Sequence, residues 1–339
     1  MAVSKVVLIM AGGSGKRFWP QSTSDNPKQF LKFFLKKSLI QDTLDRFLNY
    51  SDRKNVFICA AQDQKNIFSK HLPHFKNMIF EPEARNTAAC LMLSARELLK
   101  KYDPNTVVVV TPADHYVGNQ KKFLKLIEQS SNFASKNEAI ITLGIKPTSP
   151  HTGYGYIEKS KKVEKNIFEV SRFKEKPDFK TAQKYLKTKK YLWNGGIFVF
   201  SLKTIQKAFE KHLQKEWQQL NKAKSFVQTK KVYQKLPKLP FDIAIIEKSK
   251  NVYTIPLDAD WSDLGSWDMV YELARKDHNK NVLLSGSLRA LDSKNCLIST
   301  ESLKEVSLLD VNDLLVVESK GVLLVALKAS HQRVKELAV

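Results

Sequence analysis

Cysteine is scarce in this chain. Cys59, Cys90 and Cys296 are far apart and odd in number, and no two have metal-ligand spacing. That excludes a disulfide framework or a structural zinc site and favours buried free thiols in a reducing cytoplasm. Long apolar runs are missing too, and none approaches the roughly twenty residues of a membrane helix. The first apolar run, residues 6–10, is too short for a signal peptide and is broken by Gly12-Gly13. The sequence therefore predicts no membrane partner. Nor is there a single basic arm, a zinc finger or an RNA-binding signature, although the formal net charge is +22. The lysines are spread in pairs such as Lys36-Lys37, Lys121-Lys122 and Lys230-Lys231. A broadly lysine-rich surface explains the charge without nucleic acid, and its field favours small anionic substrates. Two common phosphate loops are absent as well. A Walker A loop needs Ser or Thr after Lys16, where Arg17 stands, and a dinucleotide fingerprint needs glycine at position 18, which is Phe18.

A different glycine turn is present. Residues 6–10 read as a buried strand, followed at once by Ala11, Gly12, Gly13, Ser14 and Gly15 and then by Lys16 and Arg17. Such a turn exposes backbone N–H groups beside cationic side chains, and a polyphosphate is its natural guest. An ordinary tight strand-to-helix turn fits the glycines equally well. Pro27-Lys28-Gln29 places another lysine close behind the loop.

From residue 38 to about residue 144 helices and strands alternate, which predicts an α/β layer with a Rossmann-like, mostly parallel mixed sheet flanked by helices. Residues 106–111 are the most β-prone stretch and read as a central strand ending at Pro112-Ala113-Asp114-His115. Ligands collect at the carboxyl ends of strands in such sheets, where both the glycine loop and Asp114 lie. Residues 152–157 and 197–200 read as strands, the latter led in by Asn194-Gly195-Gly196, and residues 241–248 as a helix. Beyond residue 279 only short strands and turns follow. The chain thus divides into residues 1–280 and a small β-rich, β-helix-like module, 281–339.

Several stretches together resemble the mannose-1-phosphate guanylyltransferase branch of the sugar-1-phosphate nucleotidyltransferases. They are Ala11 through Pro20, Pro27 through Leu31, Glu81 through Thr87, Pro112 through His115, Gly153-Tyr154-Gly155, Glu175-Lys176-Pro177, Asn194-Gly195-Gly196 and Trp261 through Trp267. The resemblance implies an enzyme that joins GTP and mannose 1-phosphate into GDP-mannose and diphosphate, with Mg²⁺. In that reaction one polyanion attacks another, and the attacking phosphate oxygen is already anionic because its second pKa is about 6. No general base is needed. Catalysis rests on cations and backbone donors that neutralise charge and hold the reactants in line.

The roles that follow are those the resemblance implies. The loop residues 11–17 with Lys28 hold the triphosphate, and Pro82, Arg85, Asn86 and Thr87 lie beside the base. Asp114 and Asp263 bind the metal. Lys176 contacts the sugar phosphate, and Gly153, Tyr154, Gly155, Glu175, Asn194 and Gly195 form the sugar pocket. From the residues alone, Asp114 and Asp263 read equally well as turn and helix caps, Glu175-Lys176 as solvated charges, and the glycines as hairpin or bulge residues. Ala84 and Ala89 stand where the family prefers glycine and proline, and Gly195 where it often has serine. Bifunctional relatives add a cupin-like isomerase domain. This sequence ends before one, so no phosphomannose isomerase activity is expected. A homodimer through the β-rich module is expected. The alternatives are a nucleotidyltransferase for another sugar phosphate, of the GDP-heptose or NDP-glucose type, and a non-catalytic subunit that binds nucleotide-sugars.

Overall fold

The apolar runs of the first 260 residues become a nine-stranded sheet in the computed structural model, which describes residues 4–13 and 15–338. Its strands are β1 (Lys5–Met10), β2 (Val56–Ala61), β3 (Met78–Glu81), β4 (Val107–Pro112), β6 (Ile140–Ile145), β7 (Tyr156–Glu164), β8 (Ile167–Lys174), β9 (Tyr191–Ser201) and β10 (Val252–Leu257). The two-residue strands β5 (Tyr116–Val117) and β11 (Trp261–Ser262) lie outside it. The order is β3-β2-β1-β4-β9-β6-β10-β8-β7. Only β8 and β9 run against the common direction, so the sheet is mixed and mostly parallel. The central strands are apolar on both faces, as a sheet covered by helices requires: Val6, Val7, Ile9, Val107, Val109 and Val110 have no exposed surface.

The chain forms two compact units. The first holds the nine-stranded sheet and its helices. In its core the helix Asn86–Leu99 buries Ala88, Leu91, Met92, Ala95 and Leu98 in one cluster with Phe198, Phe200, Phe209, Trp217, Tyr233 and Phe241. The second unit gathers Gly13–Thr43, Asp114–Tyr116 and the chain from Ser262 onward. The chain therefore passes from one unit to the other within the glycine loop, within Pro112–His115 and within Trp261–Trp267.

In the second unit the terminal strands coil as the sequence predicts. These are β12 (Val282–Ser285), β13 (Leu288–Leu291), β14 (Leu297–Thr300), β15 (Val306–Leu309), β16 (Leu314–Ser319) and β17 (Val322–Leu327). β12, β14 and β16 pair in parallel, as do β13 and β15. Leu288 faces Val306 and Leu297 faces Leu315, both 18 residues on, so each coil takes about that many residues. Asp292, Asn295, Asp310 and Asp313 occupy the left-handed region at equivalent corners, where Asn and Asp are tolerated. Glu318 fastens the adjoining loop by accepting the backbone N–H groups of Glu301, Ser302 and Leu303 and the Ser302 hydroxyl. These bonds, led by the Ser302 hydroxyl, hold its carboxyl down at about 2.

Phe18, Leu31, Leu264 and Trp267 share one buried core with Leu297, Leu315 and Val317 of the coil. Phe18 and Trp267 meet edge to face, with centroids 5.1 Å apart. These aromatics of the recognised stretches hold the fold and leave the chemistry to their polar neighbours.

Two local expectations need correction. The stretch Asn194-Gly195-Gly196 does not merely lead into a strand, because β9 runs straight through it. A Cβ on Gly195 would stand 2.9 Å from Leu143 O and 2.7 Å from Ile145 Cδ1, so glycine lets the strands approach. Gly196, at φ 64°, lies where the β6–β9 register shifts. The strand expected from residue 152 begins only at Tyr156, and Gly153 is held in a turn by donating its N–H to His151 Nδ1 at 3.0 Å.

Candidate active site

In the second unit a cavity of about 470 Å³ is lined by Gly13, Gly15, Lys16, Arg17, Phe18, Lys28, Asp114, His115, Asp263, Gly265 and Lys335. Lys28 is its hub. Its ammonium pairs with Asp114 Oδ2 at 2.8 Å and donates to the Asp263 carbonyl at 2.5 Å. Gly15 makes this possible. It lies at φ 65°, and a Cβ there would fall 2.4 Å from the Lys28 Cβ. Arg17 reaches the Gly265 carbonyl at 3.4 Å.

Asp263 is presented by a strained turn. Leu264 is fully buried yet lies at φ 44°, a conformation that costs about 1–3 kcal/mol in a bulky residue. Its N–H donates to the Ser262 hydroxyl at 3.1 Å, and its side chain is anchored in the core. A Cβ at Gly265 would press to 3.0 Å from Asp263 Oδ2, so this glycine clears space for the carboxylate.

Burial by itself would raise the Asp114 carboxyl, but Lys28 and His115 outweigh it and hold the group below the ordinary range. Asp114 therefore stays ionised. Asp114 and Asp263 offer hard oxygen donors to one cavity, a set suited to a small divalent cation. Four cationic side chains, Lys16, Arg17, Lys28 and Lys335, line the same space, which suits a polyphosphate. Lys335, from the terminal 3-10 segment Lys328–Glu336, carries no sequence signal that marks it for this place.

The remaining candidates of the nucleotide set lie in the first unit, except Ser14, which lies outside the described residues. Ala11 and Gly12 end the β1 side of the loop, and Ala11 donates its N–H to the Cys59 carbonyl at 2.8 Å. Pro82 through Thr87 bridge β3 to the helix Asn86–Leu99. Asn86, at φ 66°, accepts the Thr87 N–H at 2.8 Å; it is the first residue of the helix, and Arg85 before it makes no side-chain cap. Arg85 pairs with Glu83 and donates to the Leu236 carbonyl. Thr87 Oγ1 accepts the Phe241 N–H at 2.7 Å. Behind this segment Cys59, Glu81 and Cys90 meet in the interior, with the Tyr233 hydroxyl donating to Glu81. Burial raises Glu81 towards its neutral form, and the thiols are free and buried as expected.

A second polar cluster in the first unit surrounds Asn194. Its Oδ1 accepts from Thr142 Oγ1 at 2.8 Å and from the Gly196 N–H at 3.2 Å, and its Nδ2 donates to Asp242 Oδ1 at 2.6 Å. Its backbone N–H reaches the Gly155 carbonyl. Glu175 lies against Gly155, where a Cβ would come within 2.6 Å of Glu175 Oε2, and it pairs with Lys176 at 3.2 Å. Lys176 is strained, at φ 43°, and well exposed. Tyr154 stacks on His151 and tilts against Trp193, giving the cluster an aromatic wall. Asp242 is pushed up to about 7, first by burial and then by Glu175. No motif or spacing in the sequence marks Asp242, Thr142 or Glu247 for this cluster.

The nucleotidyl transferase family model matches residues 6–280. The mannose-1-phosphate guanylyltransferase of Escherichia coli is 33% identical over 354 residues, covering 99% of this chain and 75% of its own length. This chain belongs to the mannose-1-phosphate guanylyltransferase family. It is thus an enzyme of the sugar-1-phosphate nucleotidyltransferase class. The crystal structure described as a mannose-1-phosphate geranyltransferase of Thermus thermophilus matches it with TM-score 0.91 and 31% identity, over 99% of this chain and 98% of that one. A Helicobacter pylori structure described as mannose-6-phosphate isomerase matches at TM-score 0.62 and 25% identity, over 76% of this chain and 99% of that one. Among the described residues no helix is long and apolar enough to cross a membrane.

Proposed function

We propose that this family member is a mannose-1-phosphate guanylyltransferase that joins GTP and mannose 1-phosphate into GDP-mannose and diphosphate, in the cytoplasm, for GDP-sugar and surface glycoconjugate synthesis. The observation that carries the reading is the cavity where Lys28 is paired to Asp114 among Gly13, Gly15, Lys16 and Arg17. The mannose and guanine preferences follow the names of the relatives.

In the reaction an oxygen of mannose 1-phosphate forms a bond to the α-phosphorus of GTP. The bond from that phosphorus to the β-phosphate bridge breaks, and diphosphate leaves without any proton transfer at the reacting centre. Lys16, Arg17 and Lys28 neutralise the triphosphate, and the backbone N–H groups of the loop cradle it. Asp114 and Asp263 would hold Mg²⁺, which would supply positive charge for the polyphosphate. Lys176 takes the sugar phosphate, and Glu175, Asn194 and Gly155 take the sugar hydroxyls.

Diphosphate release with GTP, mannose 1-phosphate and Mg²⁺, each omitted in turn, tests the proposal. Release should require all three. A grid of triphosphates against sugar 1-phosphates tests the specificity, and a higher kcat/KM for another pair would overturn it. The exposed side chains of Leu323, Val325 and Leu327 on β17 support the proposed homodimer. Light scattering at two concentrations tests it.

A further inference from the structure

The segment from Leu236 to Lys248 is tied to both candidate substrate-binding regions of the first unit. The carbonyls of Leu236 and Leu239 accept from Arg85 Nη1 and the Ala88 N–H, and the Phe241 N–H donates to Thr87 Oγ1. Phe241, Ala244, Ile245 and Ile246 are buried to 2% exposure or less, so the segment is fixed in the core. From this base it extends two acids. Asp242 accepts from the Asn194 amide at 2.6 Å, and Glu247 Oε1 accepts the backbone N–H of Glu175 at 3.1 Å.

The Asn194 amide has one acceptor oxygen and two N–H donors. Thr142 and Gly196 take the oxygen, and Asp242 takes one donor. The plane of the amide is thereby fixed, and its second N–H is left for a ligand hydroxyl. Glu247 fixes the backbone at Glu175, just where Lys176 adopts its strained left-handed turn. Asn194 and Glu175, two of the residues assigned to the sugar hydroxyls, are thus each held by one acid from the same segment.

We infer that Asp242 and Glu247 are positioning residues that set Asn194 and Glu175 for the sugar hydroxyls. This rests on the reading of that cluster as the sugar pocket. The charged groups facing Asp242 are Glu175, which raises its pKa, and Lys176, which lowers it; Asn194 is its neutral partner, and Glu247 lies on its own segment. With its carboxyl pushed up to about 7, Asp242 changes charge within the working range of pH and weakens as an acceptor on the acid side.

The test is steady-state kinetics on the full chain with GTP and mannose 1-phosphate for wild type, Asp242→Ala, Asp242→Asn and Glu247→Gln, each checked for a cooperative melt. Asp242→Ala should raise the sugar-phosphate KM about tenfold or more while the GTP KM stays within about threefold. Asp242→Asn keeps an acceptor oxygen, so it should recover most of that loss at pH 8. It should also flatten the pH dependence of the sugar-phosphate KM, leaving only the titration of the phosphate itself. Glu247→Gln should give a smaller rise in the same KM. If Asp242→Ala raises the GTP KM as much as the sugar-phosphate KM, or if Asp242→Asn is as impaired as the alanine variant, the positioning role is refuted. A wild type that turns over no sugar 1-phosphate would instead defeat the functional reading beneath it.

Discussion

Asp114 and Asp242 are both carboxylates drawn away from open solvent, and the two clusters treat them in opposite ways. Beside Asp114 stand Lys28 and His115, and the acid is held ionised. Beside Asp242 stand Glu175 and a neutral amide, and the acid is pushed to about 7. The first cluster is built of cations around carboxylates and suits phosphates and a metal. The second is built of acids and an amide against an aromatic wall and suits neutral hydroxyls, with Lys176 as its exposed cation. Charge placement, more than the count of charged residues, separates a cluster suited to phosphates from one suited to hydroxyls.

Asp114→Asn puts this contrast under the greatest stress. Turnover should fall about a thousandfold, as expected when a group that organises charge at the reacting phosphate is removed. The melting temperature should move little. Turnover within tenfold of wild type would remove Asp114 from the metal site, and a chelator should mimic the loss.

Next come the lysines. Lys176→Ala should raise the sugar-phosphate KM about tenfold and leave the GTP KM nearly unchanged, since a charge-assisted contact is lost on one substrate only. Lys28→Ala should act chiefly on GTP. The reverse ranking in a two-substrate kinetic matrix would erase the distinction between the clusters.

The glycine loop refines the contrast. Gly15→Ala should cost about 2–4 kcal/mol, because it adds a clash with Lys28 to a left-handed backbone. Gly12→Ala, whose Cβ meets nothing within 4 Å, should be close to neutral. Denaturant melts of both variants measure this, and equal losses would mean that the Lys28 approach is not what Gly15 serves.

The smallest effect is on stability against pH, and here the two aspartates have opposite signs. The lowered Asp114 contributes stability above its unfolded value of about 3.9, lost as pH falls through its folded value. The raised Asp242 makes the folded chain bind the extra proton, so its contribution is present below about 4 and is lost as pH rises through about 7. Asp242→Asn should therefore flatten a decline between pH 4 and 7 in a urea series, and Asp114→Asn should not.

Most of the strands and helices, the glycine loop and the free thiols were legible in local sequence, because apolar periodicity and turn chemistry act over a few residues. Lys28, Asp114 and Asp263 were singled out only by the stretches that resemble the family, and the folded chain lines one cavity with all three. That β9 runs through Asn194-Gly195-Gly196 was a matter for the folded chain, since the need for a missing Cβ comes from Leu143 and Ile145 on the neighbouring strand. Folding also placed Lys335 at the cavity. It gave Asp242 and Glu247 their partners, which lie 48 and 72 residues away. In sequence they are two acids in an apolar helical stretch. Their meaning comes from groups that only the folded sheet brings near, and hydrogen bonds formed at such separation leave no local pattern to read.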